Sequence, residues 1–177
     1  AKKTPETGTS ETRKIVERML SEIEIGKETI AKKYASDLDG FNGDIIVSQE
    51  SIENASKMVP EKLKDDIKFA HERIKKFAEA QKQSISEFET ELSPGLWAGQ
   101  KLIPIQTAGC YVPGGRYAHV ASAIMSITTA RVAGVENIIA CSAPKGEDGP
   151  NPAILYTMNY CGADKILALG GVQAIAS

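Results

Sequence analysis

The sequence predicts an α/β protein in which a parallel sheet flanked by helices follows a mainly helical region. Three observations carry this reading. Extended, apolar runs at 102–105, 109–112, 137–141 and 165–169 alternate with helix-like segments at 118–132 and 152–161, the order expected of strands joined by helical crossovers. Charge is unevenly shared: residues 1–100 hold 16 of the 21 Lys and Arg and 19 of the 23 Asp and Glu, so the first part has solvated helix faces and the second is mostly interior. Two glycine pairs, 114–115 and 170–171, each end a strand and open a helix. Such a junction lies where a parallel sheet presents ligands, at the carboxyl ends of its strands, and glycine lets a ligand approach the main chain closely.

The helical part begins with Ile15, Val16, Met19, Leu20 and Ile23 at helical spacing, with Ser10 or Thr12 as a cap. Gly26 interrupts, and Ile30, Ala31, Tyr34, Ala35 and Leu38 make a second stripe. Residues 40–43 read as a turn and Ile45-Ile-Val47 as a short strand. Leu63, Ile67, Ala70, Ile74 and Phe77 define a long helix with Pro60 near its first turn, and Ser93-Pro-Gly95 ends the helical region. The segment 118–132 is apolar almost all round, which predicts burial on more than one side. Gly170-Gly171 opens a last helix that has barely begun at Ser177. A parallel strand needs cover on both faces, so the expectation is a piece of a larger protein. The expected division is residues 1–109, mainly helical, and residues 110–177, a partial sheet domain.

A net charge of −2 makes no electrostatic case for nucleic acid or an anionic membrane. There is no apolar run of about 18 residues to span a bilayer, and the first residues lack a signal peptide's apolar core. Cys110, Cys141 and Cys161 are odd in number and lie in apolar surroundings, which suits reduced thiols. A cytoplasmic protein is the expectation.

Neither G-x-G-x-x-G nor G-x-x-x-x-G-K-[ST] occurs, so the common dinucleotide and P-loop fingerprints are absent. Each Gly-Gly junction could direct helix-terminal N–H groups at a phosphate or be simple turn chemistry. Arg116 and His119 flank the expected pocket and could hold an anion; the competing reading is a helix-start histidine beside a solvent-facing arginine. His71 falls on the polar face of the long helix, where it is inert. Two separated histidines and three scattered cysteines make no metal site, and Ser122 and Cys110 have no base placed by the sequence. Trp97 reads as a core or interface residue. Tyr111 could pack in the core or against a planar ligand.

Taken together, Tyr111-Val-Pro-Gly-Gly115, Ala123-Ile-Met125, Ala130-Arg-Val-Ala-Gly134 and Gly170-Gly-Val-Gln-Ala-Ile-Ala176 resemble the histidinol dehydrogenase family over essentially the whole chain. The resemblance implies an incomplete Rossmann-like parallel sheet in a homodimeric, NAD-dependent, zinc-containing enzyme that oxidises a primary alcohol to a carboxylate through an aldehyde. It matches Tyr111 and Gln173 to the family's NAD-contacting tyrosine and glutamine, with Pro113 and its adjacent glycines shaping the nucleotide cleft. It assigns no catalytic or zinc-binding residue to this chain, because the family's catalytic Glu-His pair and its zinc ligands lie beyond the matched region. His119-Val-Ala-Ser122 and Thr128-Thr129 stand where histidinol dehydrogenases usually carry a Pro-Ser-Ser-like stretch and a proline. The string 108–126 is closer to the branch that oxidises sulfopropanediol to sulfolactate, which would make Arg116 and His119 contacts to an anionic substrate. The alternatives are histidinol as substrate, or a non-catalytic nucleotide-binding or dimerisation module.

Overall fold

The computed structural model describes residues 10–114 and 117–176. Six helices, a 3-10 turn and five strands follow one another as α1 (Ser10–Asp39), α2 (Gln49–Met58), α3 (Glu61–Gln83), β1 (Phe88–Ser93), β2 (Leu96–Gln100), β3 (Thr107–Tyr111), α4 (Val120–Ala133), β4 (Asn137–Cys141), a 3-10 turn (Gly146–Asp148), α5 (Pro152–Tyr160), β5 (Lys165–Leu167) and α6 (Gly171–Ala176). The expected α/β class is present: a helical first part leads into a parallel sheet of order β3-β4-β5.

The register of that sheet fixes everything at its carboxyl edge. Thr107 to Tyr111 pair in parallel with Asn137 to Cys141, and Ile139 to Cys141 pair with Lys165 to Leu167. The three strands therefore end side by side. Side chains alternate along a strand, and Cys110, Ile138, Ala140 and Ile166 enter one core with Ala123, Ile124 and Ile127 of α4 and Ile154, Leu155 and Met158 of α5. Full burial of each large aliphatic side chain contributes roughly 1.5–3 kcal/mol. Ile52 and Ala55 of α2 and Ile67 of α3 join the same core, forming a layer outside α4 and α5. This explains the all-round apolarity of α4, which packs on α3, α5, β3 and β4.

The break in α1 falls at Lys27, with φ 52° and ψ −139°, one residue beyond the expected Gly26. The side chain of Ile30 lies where a Gly26 Cβ would stand, so glycine admits the bend there. The result is a folded-back helix pair. Tyr34 Oη donates to Glu22 Oε2 at 2.7 Å, although an unbroken helix would place those residues about 18 Å apart along its axis. Met19, Ile23 and Tyr34 form a small core against which Val172 and Ala176 of α6 pack.

Several expectations need correction. Residues 45–47 make only one antiparallel bridge, Ile46 to Leu167, flanked by Val47 N–H to Ile166 O at 2.9 Å and Ala168 N–H to Ile45 O at 2.8 Å. The long helix stops at Gln83, and Ser93-Pro-Gly95 turns an antiparallel hairpin, β1 with β2, rather than ending a helical region. Gly95 takes φ 84°, open to glycine at little cost, and its N–H is held by Glu91 Oε1 at 2.8 Å. Trp97, on this hairpin, is 57% exposed rather than in the core. Residues 101–105 join no described strand. His71 is half-buried, its ring 5.1 Å from that of Tyr160 in an edge-on contact, and burial lowers its pKa. All three cysteines are free and buried, and burial pushes the Cys141 and Cys161 thiols up to about 11.

At the amino edge of the sheet, Arg131 acts as a clamp. Its guanidinium donates to Val135 O and Glu136 O, both at 3.1 Å, to Gly162 O at 2.5 Å and to Asp164 Oδ2 at 2.7 Å. Asp164 Oδ2 also accepts from the Ile138 N–H at 2.7 Å. That backbone N–H, followed by Arg131, holds the Asp164 carboxyl below its ordinary value of 3.8. Its ionised form therefore favours folding, a contribution complete above the ordinary carboxylate range and lost as pH falls through the depressed value. Asp164→Asn should lower the melting temperature at pH 7, and its deficit against the wild type should close below about pH 4. Equal melting temperatures at pH 7 would remove Asp164 from the clamp.

Candidate functional site

The carboxyl ends of β3, β4 and β5 form one edge, and two glycines shape it. Gly114 is buried after β3; a Cβ there would collide with Ser142 Oγ and stand 3.4 Å from both Ala143 O and Ile154 Cδ1. Gly170 is buried after β5; a Cβ there would lie 2.6 Å from Ala143 Cβ and 3.1 Å from Ala143 Cα. The Ser142-Ala143 segment beyond β4 is thus pressed from both sides by backbone. The same strand ends are tied by Val112 N–H to Cys141 O at 2.8 Å and Ser142 N–H to Leu167 O at 3.1 Å. Gly114 and Gly170 consequently belong to a single edge.

Of the residues singled out in the sequence, Tyr111 ends β3 with 37% of its surface exposed, and Pro113 beside it is exposed. His119 is exposed at the start of α4 and makes no side-chain capping bond. Arg116 lies outside the described residues. Gln173 is 1% exposed. It sits in α6 just after the Gly170-Gly171 turn, where Gly171 takes φ 55°, and its Nε2 donates to Asp39 Oδ2 at 3.1 Å. Burial, partly offset by the Gln173 hydrogen bond, raises the pKa of Asp39. Sequence reasoning missed Asp39, which is 134 residues from its partner, and Ser142, whose hydroxyl is buried without a hydrogen-bond partner among the described residues. Neither carries a sequence signal of its own. Among the described residues, no three His, Cys, Asp or Glu side chains cluster to hold a metal, and no helix is long and apolar enough to cross a membrane.

Tyr111 offers a half-exposed ring at one end of the edge, and the Gly170-Gly171 turn lies at the other. The tightness of the edge has a measurable consequence. Gly114→Ala should destabilise the protein by pushing a methyl group onto Ser142 Oγ. Ser142→Ala, which removes an unpartnered buried hydroxyl, should raise stability by about 1 kcal/mol and should restore most of the loss when combined with Gly114→Ala. Chemical denaturation checks both. Additive losses in the double variant would show that the strain lies elsewhere in the turn.

Comparison with known proteins follows the same outline. The sequence model of the family described as histidinol dehydrogenase matches residues 2–177. The chain is 55% identical to a histidinol dehydrogenase homolog of Pelagibacter ubique, over 99% of its own length and 42% of the relative's. It is 51% identical to a sulfopropanediol 3-dehydrogenase of Ruegeria pomeroyi, over 98% of its length and 40% of the relative's. The crystal structure of histidinol dehydrogenase from Elizabethkingia anophelis superposes with a TM-score of 0.89 at 31% identity, over 97% of this chain and 40% of that one. The chain spans only about two fifths of the length of these relatives. By sequence over nearly its whole length, and by fold, this chain belongs to the histidinol dehydrogenase family.

Proposed function

We propose that this chain forms part of the nucleotide cleft of an NAD-dependent, zinc-dependent dehydrogenase that oxidises a primary alcohol to a carboxylate through an aldehyde, with sulfopropanediol as the substrate and sulfolactate as the product. The observation that carries the reading is the shared carboxyl edge, where Tyr111 at the end of β3, with Pro113 and Gly114 beyond it, shares an edge with Gly170 and Gly171 after β5, and Gln173 is buried behind that turn in α6. Family membership and the likeness to a sulfopropanediol 3-dehydrogenase support it.

A dinucleotide suits this rim physically. Missing side chains at Gly114 and Gly170 let the strand ends close up beneath the rim, and a half-exposed tyrosine ring gives a planar group something to pack on. NAD bound there supplies the hydride acceptor. The chain's own residues bind and orient: Tyr111 and Pro113 line one end, and Gln173 belongs to the turn at the other. The family's zinc ligands lie beyond the matched region, so on this reading the metal is held by residues outside these blocks.

Arg116 and His119 follow the first glycine turn and give the reading its substrate preference. A guanidinium makes charge-assisted, geometrically matched hydrogen bonds to an anionic group such as a sulfonate, and the amino end of α4 adds a favourable field. Assembly as a homodimer in the cytoplasm completes the reading.

Steady-state kinetics of the full-length natural protein test it. Tyr111→Ala should raise the KM for NAD more than it lowers kcat, because it removes ground-state binding. Arg116→Ala should cut kcat/KM for the sulfonated diol by about 10- to 150-fold, the equivalent of roughly 1.5–3 kcal/mol for a hydrogen bond to a charged group, and should affect a neutral diol much less. Preferred turnover of histidinol would change the substrate, and turnover of neither alcohol would leave a binding module without this chemistry.

A further inference from the structure

Taking Gln173 as part of the nucleotide cleft, we propose that Asp39, at the end of α1, is a positioning residue that fixes the Gln173 amide and with it the Gly170-Gly171 turn. The contact joins the first helix of the chain to the last. Gln173 Nε2 donates to Asp39 Oδ2 at 3.1 Å across 134 residues of sequence. The same carboxylate oxygen lies 3.5 Å from the position a Gly170 Cβ would take, so it covers the turn itself.

The chemistry of the pair sets the amide's direction. An ionised carboxylate only accepts hydrogen bonds, so it draws Nε2 toward itself and turns Oε1 away. Oε1 lies 3.1 Å from the position of a Gly171 Cβ, on the turn that continues the rim of the cleft. A glutamine with no such neighbour can exchange its two ends. Fixed by Asp39, it keeps Oε1 toward the Gly170-Gly171 turn, so the amide and the turn are held as one unit.

The location of Asp39 also argues for a task beyond helix stability. It is the last residue of a 30-residue helical span whose final turn contains no basic residue. A carboxylate at a helix carboxyl end opposes the helix dipole, and desolvation adds to that cost here. The glutamine hydrogen bond offsets part of it.

The test is NAD kinetics in the full-length natural protein. Gln173→Ala should raise the KM for NAD on the order of tenfold, the effect of losing one hydrogen bond of about 1.4 kcal/mol. Asp39→Ala should give a similar rise with little change in kcat, and the double variant should be no worse than Gln173→Ala alone. Asp39→Asn can accept from Nε2 or donate to Oε1, so it no longer fixes the amide and should show part of the same rise. An isosteric exchange guards against misfolding: Gln173→Glu sets two carboxylates together and should raise the KM, and adding Asp39→Asn, which can donate to the new glutamate, should bring it back. An unchanged KM in Asp39→Ala alongside a raised KM in Gln173→Ala overturns the positioning role. Additive effects, or failure of the exchange to rescue, do the same. An unchanged KM in Gln173→Ala instead removes the glutamine from the cleft and leaves Asp39 with no ligand-binding task.

Discussion

The structure depends on the pressure of two glycine backbones against the short segment that follows β4. Ser142 and Ala143 leave no room for a side chain at Gly114 on one side or Gly170 on the other. Because β4 is the central strand, anything that widens this segment separates the ends of β3 and β5, and with them the two halves of the rim. Protein interiors are packed closely enough that such a displacement is transmitted rather than absorbed. The candidate site is therefore a property of backbone contact, and the side chains on its rim are placed by it.

The opposite edge is fixed by different means. Arg131 joins the end of α4, the start of β4 and the turn before β5 through four carbonyl and carboxylate contacts. Hydrogen bonds to charged groups contribute more than neutral ones, which suits a half-exposed location where packing is incomplete. One edge is thus held by charge and the other by close approach of the main chain. Asp39 adds a third tie, from the helical first part to the segment after β5, and Ala31 and Ala35 of α1 pack with Ala168 and Leu169 beside it.

Much of the parallel sheet was legible in the sequence because its signals are local. Asn137 to Cys141 is a strand as read, and α4 runs from Val120 to Ala133 against an expected 118–132, since an apolar helix bounded by a glycine turn and Gly134 leaves few alternatives. The hairpin of β1 and β2 was hidden because Glu89, Glu91 and the exposed apolar residues around them face solvent on both sides, which erases the in-out alternation that marks a half-buried strand. The helix α2 was missed because only Ile52 and Ala55 are buried in it, too few to show a period. Near the carboxyl edge, Tyr111, Pro113, His119 and Gln173 were singled out from the glycine junctions and the family blocks. Asp39 and Ser142 were not, because their significance arises from partners 134 and 28 positions away, and long-range contact has no signature in a single sequence.

The central claim is that a nicotinamide dinucleotide lies across the carboxyl edge of β3, β4 and β5. A crystal structure of the full-length natural protein with NAD bound tests it most directly. Nucleotide density should span that edge, with a planar group against Tyr111 and a polar contact to the Gly170-Gly171 turn or to Gln173 behind it. A nucleotide bound elsewhere, with this edge covered by other protein or empty, would contradict it.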